Sequence, residues 1–122
     1  MITVKEIQVR PRTDDHDLEV KMRHARRFLL DGDKVKVNLR FLGREMAHQE
    51  FGVKTLRRFE NMLLDIAIIE SPAKMEGKQM FVMLAPDPVK VKEWLKNHAK
   101  PEAPTLEEIE KANAKDDVED DE

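Results

Sequence analysis

Residues 34 to 41 read Lys-Val-Lys-Val-Asn-Leu-Arg-Phe, an unbroken alternation of polar and apolar side chains. A period of two puts Val35, Val37, Leu39 and Phe41 on one face of a β-strand and Lys34, Lys36, Asn38 and Arg40 on the other. One face is buried and the other is left to water. Upstream the period changes: Leu18, Met22, Ala25 and Leu29 recur at spacings of four, three and four, one stripe of a helix over residues 14–30. Asp14, Asp15 and Asp17 suit the positive start of that helix, and Gly32 just past its end can take the left-handed conformation that closes one. Further upstream Ile7 and Val9 alternate with Gln8 and Arg10 before Pro11, which reads as a first strand. Ile2 and Val4 are out of phase with that pair, so either a bulge intervenes or the first residues belong elsewhere.

Downstream, Gly43 breaks the central strand and a second helix is expected to about residue 64. Met46, Val53, Leu56 and Leu63 form its apolar stripe, Phe59 lies at the edge, and Gly52 weakens it. The short apolar runs 66–69 and 80–84, separated by Ser71, Pro72 and Gly77, predict a hairpin with a long loop. The order is β-α-β-α-β-β. An α+β two-layer sandwich follows, a four-stranded mixed sheet with two helices packed on one face. Pro86-Asp87-Pro88 ends this unit, so residues 1–86 read as one domain and 87–122 as a helical and acidic extension. In the extension, 89–98 predicts a short helix with Val91, Trp94 and Leu95 on one side, and Thr105 with Glu108 opens another through a capping box. After Lys115 the run Asp-Asp-Val-Glu-Asp-Asp-Glu buries too little apolar surface to order itself when free.

A length of 122 residues suits one domain. Without cysteine there is no disulfide, thiolate metal site or thiol nucleophile. No apolar run approaches the roughly 20 residues that span a bilayer, and no signal-like stretch opens the chain. A soluble monomer with no membrane partner is expected, cytoplasmic or in an organellar stroma or matrix. The net charge of −3 conceals a division: residues 1–86 carry 16 Lys and Arg against 13 Asp and Glu, residues 87–122 carry 6 against 12. All nine arginines fall between Arg10 and Arg58, and the guanidinium fork matches phosphate geometry.

Helical and strand spacing give these cations directions. Arg23 and Arg27 project opposite the apolar stripe of their helix, Lys36 and Arg40 share the exposed face of the central strand, and Lys54 and Arg58 face away from the second helix's stripe. Such a surface can neutralise several phosphates at once. It also does no more than any charged surface does for solubility, and spacing alone does not separate the two.

Other chemistry is poorly supplied. His16, His24, His48 and His98 have no partner at metal-ligand spacing, and Asp14, Asp15 and Asp17 lack the glycine and distal glutamate of a calcium loop. There is no Gly-rich phosphate loop and no nucleophile elbow, and Ser71 is the only serine. No catalytic residue, metal or cofactor is assigned. Trp94 is read as an anchor for the extension. Recognition through stacked bases is not expected from the aromatics, except for Phe51 on the outward side of its helix.

Several ordered blocks carry a resemblance: Lys5-Glu6-Ile7 with Arg10-Pro11, Gly32-Asp33-Lys34, Arg40-Phe41, Gly43-Arg44-Glu45-Met46-Ala47-His48, Glu76-Gly77-Lys78-Gln79-Met80 and Leu84-Ala85-Pro86. Over residues 3–86 the chain resembles the C-terminal domain of bacterial translation initiation factor three, whose architecture is the one read from periodicity. The resemblance implies a non-enzymatic protein whose partner is the small ribosomal subunit and its ribosomal RNA. It also implies opposition to joining of the large subunit and indirect action on initiator tRNA and mRNA at start-codon selection. It places RNA contacts on Arg10, Lys21, Arg23, Arg27, Arg40, Arg44, Arg58 and Lys78, to which side-chain direction adds Lys36 and Lys54. Leu42 stands where an arginine is common and Lys78 replaces a frequent arginine, which weakens that corner. The family's N-terminal domain and linker helix have no counterpart, implying a fragment or a short member. A generic RNA-binding or ribosome-associated α/β module is the alternative. The acidic extension is expected either to compete with phosphates for the arginines or to serve solubility alone.

Overall fold

The computed structural model describes residues 3–11, 14–100 and 104–116, the last of these with side chains through 111. Strands β1 (Val4–Val9), β2 (Lys34–Arg40), β3 (Ala67–Glu76) and β4 (Gln79–Pro86) form one mixed sheet in the order β1-β2-β4-β3. β1 and β2 are parallel, with Ile7 opposite Val37, while β4 runs antiparallel to both β2 and β3. The rows Ile7–Val37–Val82 and Val9–Leu39–Met80 are buried, so the alternation read in β2 continues across the sheet. The pairing of β1 is continuous from Val4, and Val4 is simply on the open face. No bulge is needed.

Helices α1 (Asp15–Leu30) and α2 (Gln49–Leu63) cover the buried face and contact each other. Asp14 caps α1 by accepting from the His16 amide at 3.2 Å. At its other end Gly32, with φ +94°, lets the Asp33 and Gly32 amides turn back onto the carbonyls of Phe28 and Leu29, the 6→1 and 5→2 bonds of a Schellman closure. The stripe of Leu18, Met22, Ala25 and Leu29 is buried as expected, and Lys21 and Phe28 join it. Each fully buried apolar side chain contributes ~2 kcal/mol of transfer free energy.

Five details differ from the sequence reading. Gly43–His48 is a separate 3-10 turn segment, and only Gln49 onward is α-helical. Phe59 is fully buried rather than at the edge of the stripe, and Asn38, on the face left to water, is also buried, donating to Glu6. Gly52 is required, because a Cβ there would lie 2.4 Å from Phe41 Cζ and 3.0 Å from a Leu39 methyl. The hairpin has a tight Gly77-Lys78 turn, Gly77 at φ +63°, because β3 runs through Ser71 and Pro72 with two shifts of register. As an outer strand it tolerates a proline and a broken ladder.

Beyond the sheet, α3 (Pro88–Asn97) is capped by Asp87, which accepts from the Val89 and Lys90 amides. α4 (Leu106–Asp116) opens with the expected reciprocal capping of Thr105 and Glu108. Val91, Trp94 and Ile109 pack partly buried against the core, and α4 lies against β1 and α1. The tail expected to be disordered begins within this region, and its last residues, 117–122, lie outside the described residues.

Candidate nucleic-acid interface

Topology gathers cations at one end of the sheet. β1 and β2 are parallel and both finish there; Arg40, the last residue of β2, pairs in register with Gln79, and the Phe41 amide donates to the Lys78 carbonyl at 2.8 Å. The 3-10 segment carrying Arg44 follows directly. Arg10 leaves β1 toward it, with its guanidinium 3.1 Å from Glu45 Oε1, and that same oxygen accepts from the Leu42 amide at 2.8 Å. α1 and α2 both begin at this end. Arg58 reaches Asp15, the first residue of α1, at 2.8 Å, and Thr55 donates to the Pro11 carbonyl at 2.9 Å, which fixes α2 against the exit of β1. Lys54, exposed, stands one helical turn before Arg58.

Arg10, Arg40, Arg44, Lys54, Arg58 and Lys78 thus share one end, with Arg44, Lys54, Arg58 and Lys78 exposed and Arg10 and Arg40 partly so. Four others are placed elsewhere. Arg23 is exposed on the outer face of α1, and Arg27, about 18 Å along that helix from its start at 1.5 Å per residue, pairs with Asp31 at 3.0 Å. Lys36 lies on the open sheet face, 4.7 Å from the centroid of the Phe81 ring.

Lys21 corrects an expectation. Its side chain is 1% exposed, donates to the Gln8 carbonyl and lies 3.7 Å from Asp17. It ties α1 to β1 and offers no surface to RNA. Its position three residues after Leu18 and four before Ala25 already placed it on the buried stripe. Glu45, which positions Arg10, was missed; the signal was its place three residues after Leu42, the reach-back position at a helix start.

A cleft of about 190 Å3 lies at the same end, lined by Pro11, Arg44, Glu45, His48 and Phe51. The His48 and Phe51 ring centroids are 5.8 Å apart with planes inclined at 49°. At the opposite end cations serve the fold. Arg26 donates to both Asp65 oxygens and to the Met62 carbonyl, Lys90 donates to the Leu64 carbonyl, and Lys100 lies 2.6 Å from Asp31. Burial would raise the Asp31 pKa, but hydrogen bonds from Lys100 and Arg27 hold it below the ordinary value. Burial lowers the His24 pKa on α1, where Glu108 of α4 opposes the shift and Arg23 and Lys21 add to it. Trp94 stacks on His98 at 4.4 Å and takes the Arg26 guanidinium at 5.3 Å, an anchor as expected. Among the described residues no group of three or more His, Cys, Asp or Glu could hold a metal ion, and no helix is long and apolar enough to cross a membrane.

Residues 2–87 match the family described as translation initiation factor IF-3, C-terminal domain. The chain belongs to that family. It is 59% identical over 87 residues to translation initiation factor IF-3 of Buchnera aphidicola subsp. Schizaphis graminum, covering 70% of this chain and 49% of that protein. The IF-3 proteins of Brucella melitensis and of Neisseria meningitidis serogroup C are each 56% identical over 85 residues, covering 70% of this chain and 48% and 49% of those proteins. The chain spans about half the length of these curated relatives. The IF-3 match takes in the whole sheet, α1, α2 and the basic end, and stops at the residue that caps α3.

Proposed function

We propose that the chain is a ribosome-binding module of translation initiation, in which residues 1–86 engage ribosomal RNA of the small subunit and 87–122 form an appended extension. Binding opposes association with the large subunit and supports selection of initiator tRNA and start codon. The observation that carries this reading is the meeting of Arg10, Arg40, Arg44 and Lys78 where both sheet-packed helices begin, in a chain of the IF-3 family. A cluster of this kind, exposed at Arg44 and Lys78 and partly so at Arg10 and Arg40, neutralises neighbouring phosphates and releases their counterions. Work is done by occupancy and charge, without a covalent step.

Co-sedimentation of the 122-residue chain with purified small and large subunits over a salt series tests it. The expected outcome is binding to the small subunit alone, weakening steeply with salt, together with a larger fraction of free subunits in a light-scattering association assay. Equal binding to both subunits, with no change in the free fraction, would instead fit a general RNA-binding module.

A further inference from the structure

Of the six Phe and Trp side chains, Phe28, Phe41 and Phe59 are buried, Phe81 and Trp94 are partly buried, and Phe51 alone is exposed, at 39%. A single exposed apolar side chain is ordinary. Its surroundings are less so. The ring forms a wall of the cleft at the basic end; His48 forms a second, inclined wall, Pro11 is apolar, and Arg44 stands beside them. Glu45 also lines the cleft, but one of its oxygens already accepts from Arg10 and from the Leu42 amide, so its charge is compensated and it can act as an acceptor without repelling a polyanion. Aromatic walls with an arginine beside them suit a ligand that is flat and apolar on its faces, polar at its edge and anionic where it joins its chain. That ligand is a nucleotide.

We propose that the cleft receives one unpaired nucleobase of the bound RNA, its face on the Phe51 ring, its edge toward Glu45 and its phosphate at Arg44. A base held in a duplex, with its partner and stacked neighbours, cannot enter a cleft of about 190 Å3. The interface therefore favours a loop, bulge or single strand over continuous helix. Because Glu45 accepts, the base edge turned toward it is one that donates an N–H. This rests on the ribosomal reading only for the source of the RNA.

The test compares the full chain with Phe51→Leu and Phe51→Trp on purified small subunits over a salt series. Phe51→Leu removes the π face without charge and, being exposed, leaves the fold intact by circular dichroism. Binding should fall about tenfold with the salt dependence unchanged, while Phe51→Trp binds at least as well as the parent chain. A Phe51→Leu chain within twofold of the parent, or a loss accompanied by a flatter salt slope, overturns the proposal. A second arm uses a five-nucleotide single-stranded oligoribonucleotide and the same backbone made abasic. Preference for the base-bearing strand by fivefold or more is expected, and equal affinity overturns the cleft assignment. Preference for that strand without any binding to small subunits would sink the ribosomal reading and leave the cleft standing.

Discussion

Where β1 and β2 finish, Arg44, Lys54 and Lys78 are exposed around the beginnings of α1 and α2, whereas at the other end Arg26 and Lys90 donate to the Met62 and Leu64 carbonyls where α2 stops. The residue types are the same and the electrostatic settings are opposite. The last carbonyls of a helix lack internal partners and carry partial negative charge, so cations there satisfy the protein's own backbone. Cations gathered at helix beginnings gain nothing from the dipoles and sit against them. Some are offset internally, Arg10 by Glu45 and Arg58 by Asp15, but the latter pair is largely exposed and worth little. Cation direction alone therefore does not identify a binding surface; the backbone around the cation decides.

The largest expected effect comes from disturbing how the basic end is attached. Gly52→Ala places a methyl against the Phe41 ring and a Leu39 methyl, both in a fully packed core. It should lower unfolding free energy by ~2–3 kcal/mol, read from a urea midpoint, with weaker subunit binding following from displacement of α2. Next in size is the contrast between the ends. Arg40→Ala with Arg44→Ala should weaken small-subunit binding about 30-fold at low salt and flatten the log–log salt slope by about 2, with little change in melting temperature. Arg26→Ala should do the reverse, costing ~1–2 kcal/mol of stability and leaving binding within about twofold. If Arg26→Ala weakens binding as much as the double variant, the division between the ends is wrong.

The smallest effect is a pH dependence. The folded-state pKa of His24 is lowered by burial, so below its unfolded value of about 6.5 the unfolded chain takes up more protons than the folded one. Stability contributed by the neutral imidazole is fully present above that value and is lost as pH falls through the folded pKa. His24→Gln should flatten the denaturation midpoint over roughly pH 5 to 7, and an unaltered profile would remove His24 from the account. Asp31, with its pKa held down by Lys100 and Arg27, acts in the same direction in more acidic solution.

Much of the fold was legible because periodicity is a local property. β2, the α1 stripe, the Thr105–Glu108 box and the β-α-β-α-β-β order could all be read from spacing. Lys21 was legible too, since 18, 21, 22, 25, 28 and 29 form one helical face, against the RNA contact that the family resemblance implied there. Gly52 could not be understood locally, because its need for no side chain arises from Phe41 on another element. The length of β3 was hidden by Ser71-Pro72, which an outer strand accommodates at a break in register. For the site, outward direction was readable for Arg23, Lys54 and Arg58, but not which surface each would join. That depends on which ends of the elements meet, and the pairs that fix the arrangement, Arg10–Glu45, Arg26–Asp65 and Arg58–Asp15, are 35, 39 and 43 residues apart in the chain.

The two outer strands of the sheet are protected in different ways. β3 loses regular pairing around Pro72, which has no N–H to donate, and β1 has α4 lying against it. Neither margin offers a long straight row of hydrogen-bonding groups on which a foreign strand could crystallise. Borders of this kind remove the template for edge-to-edge strand pairing by shape, independently of net charge.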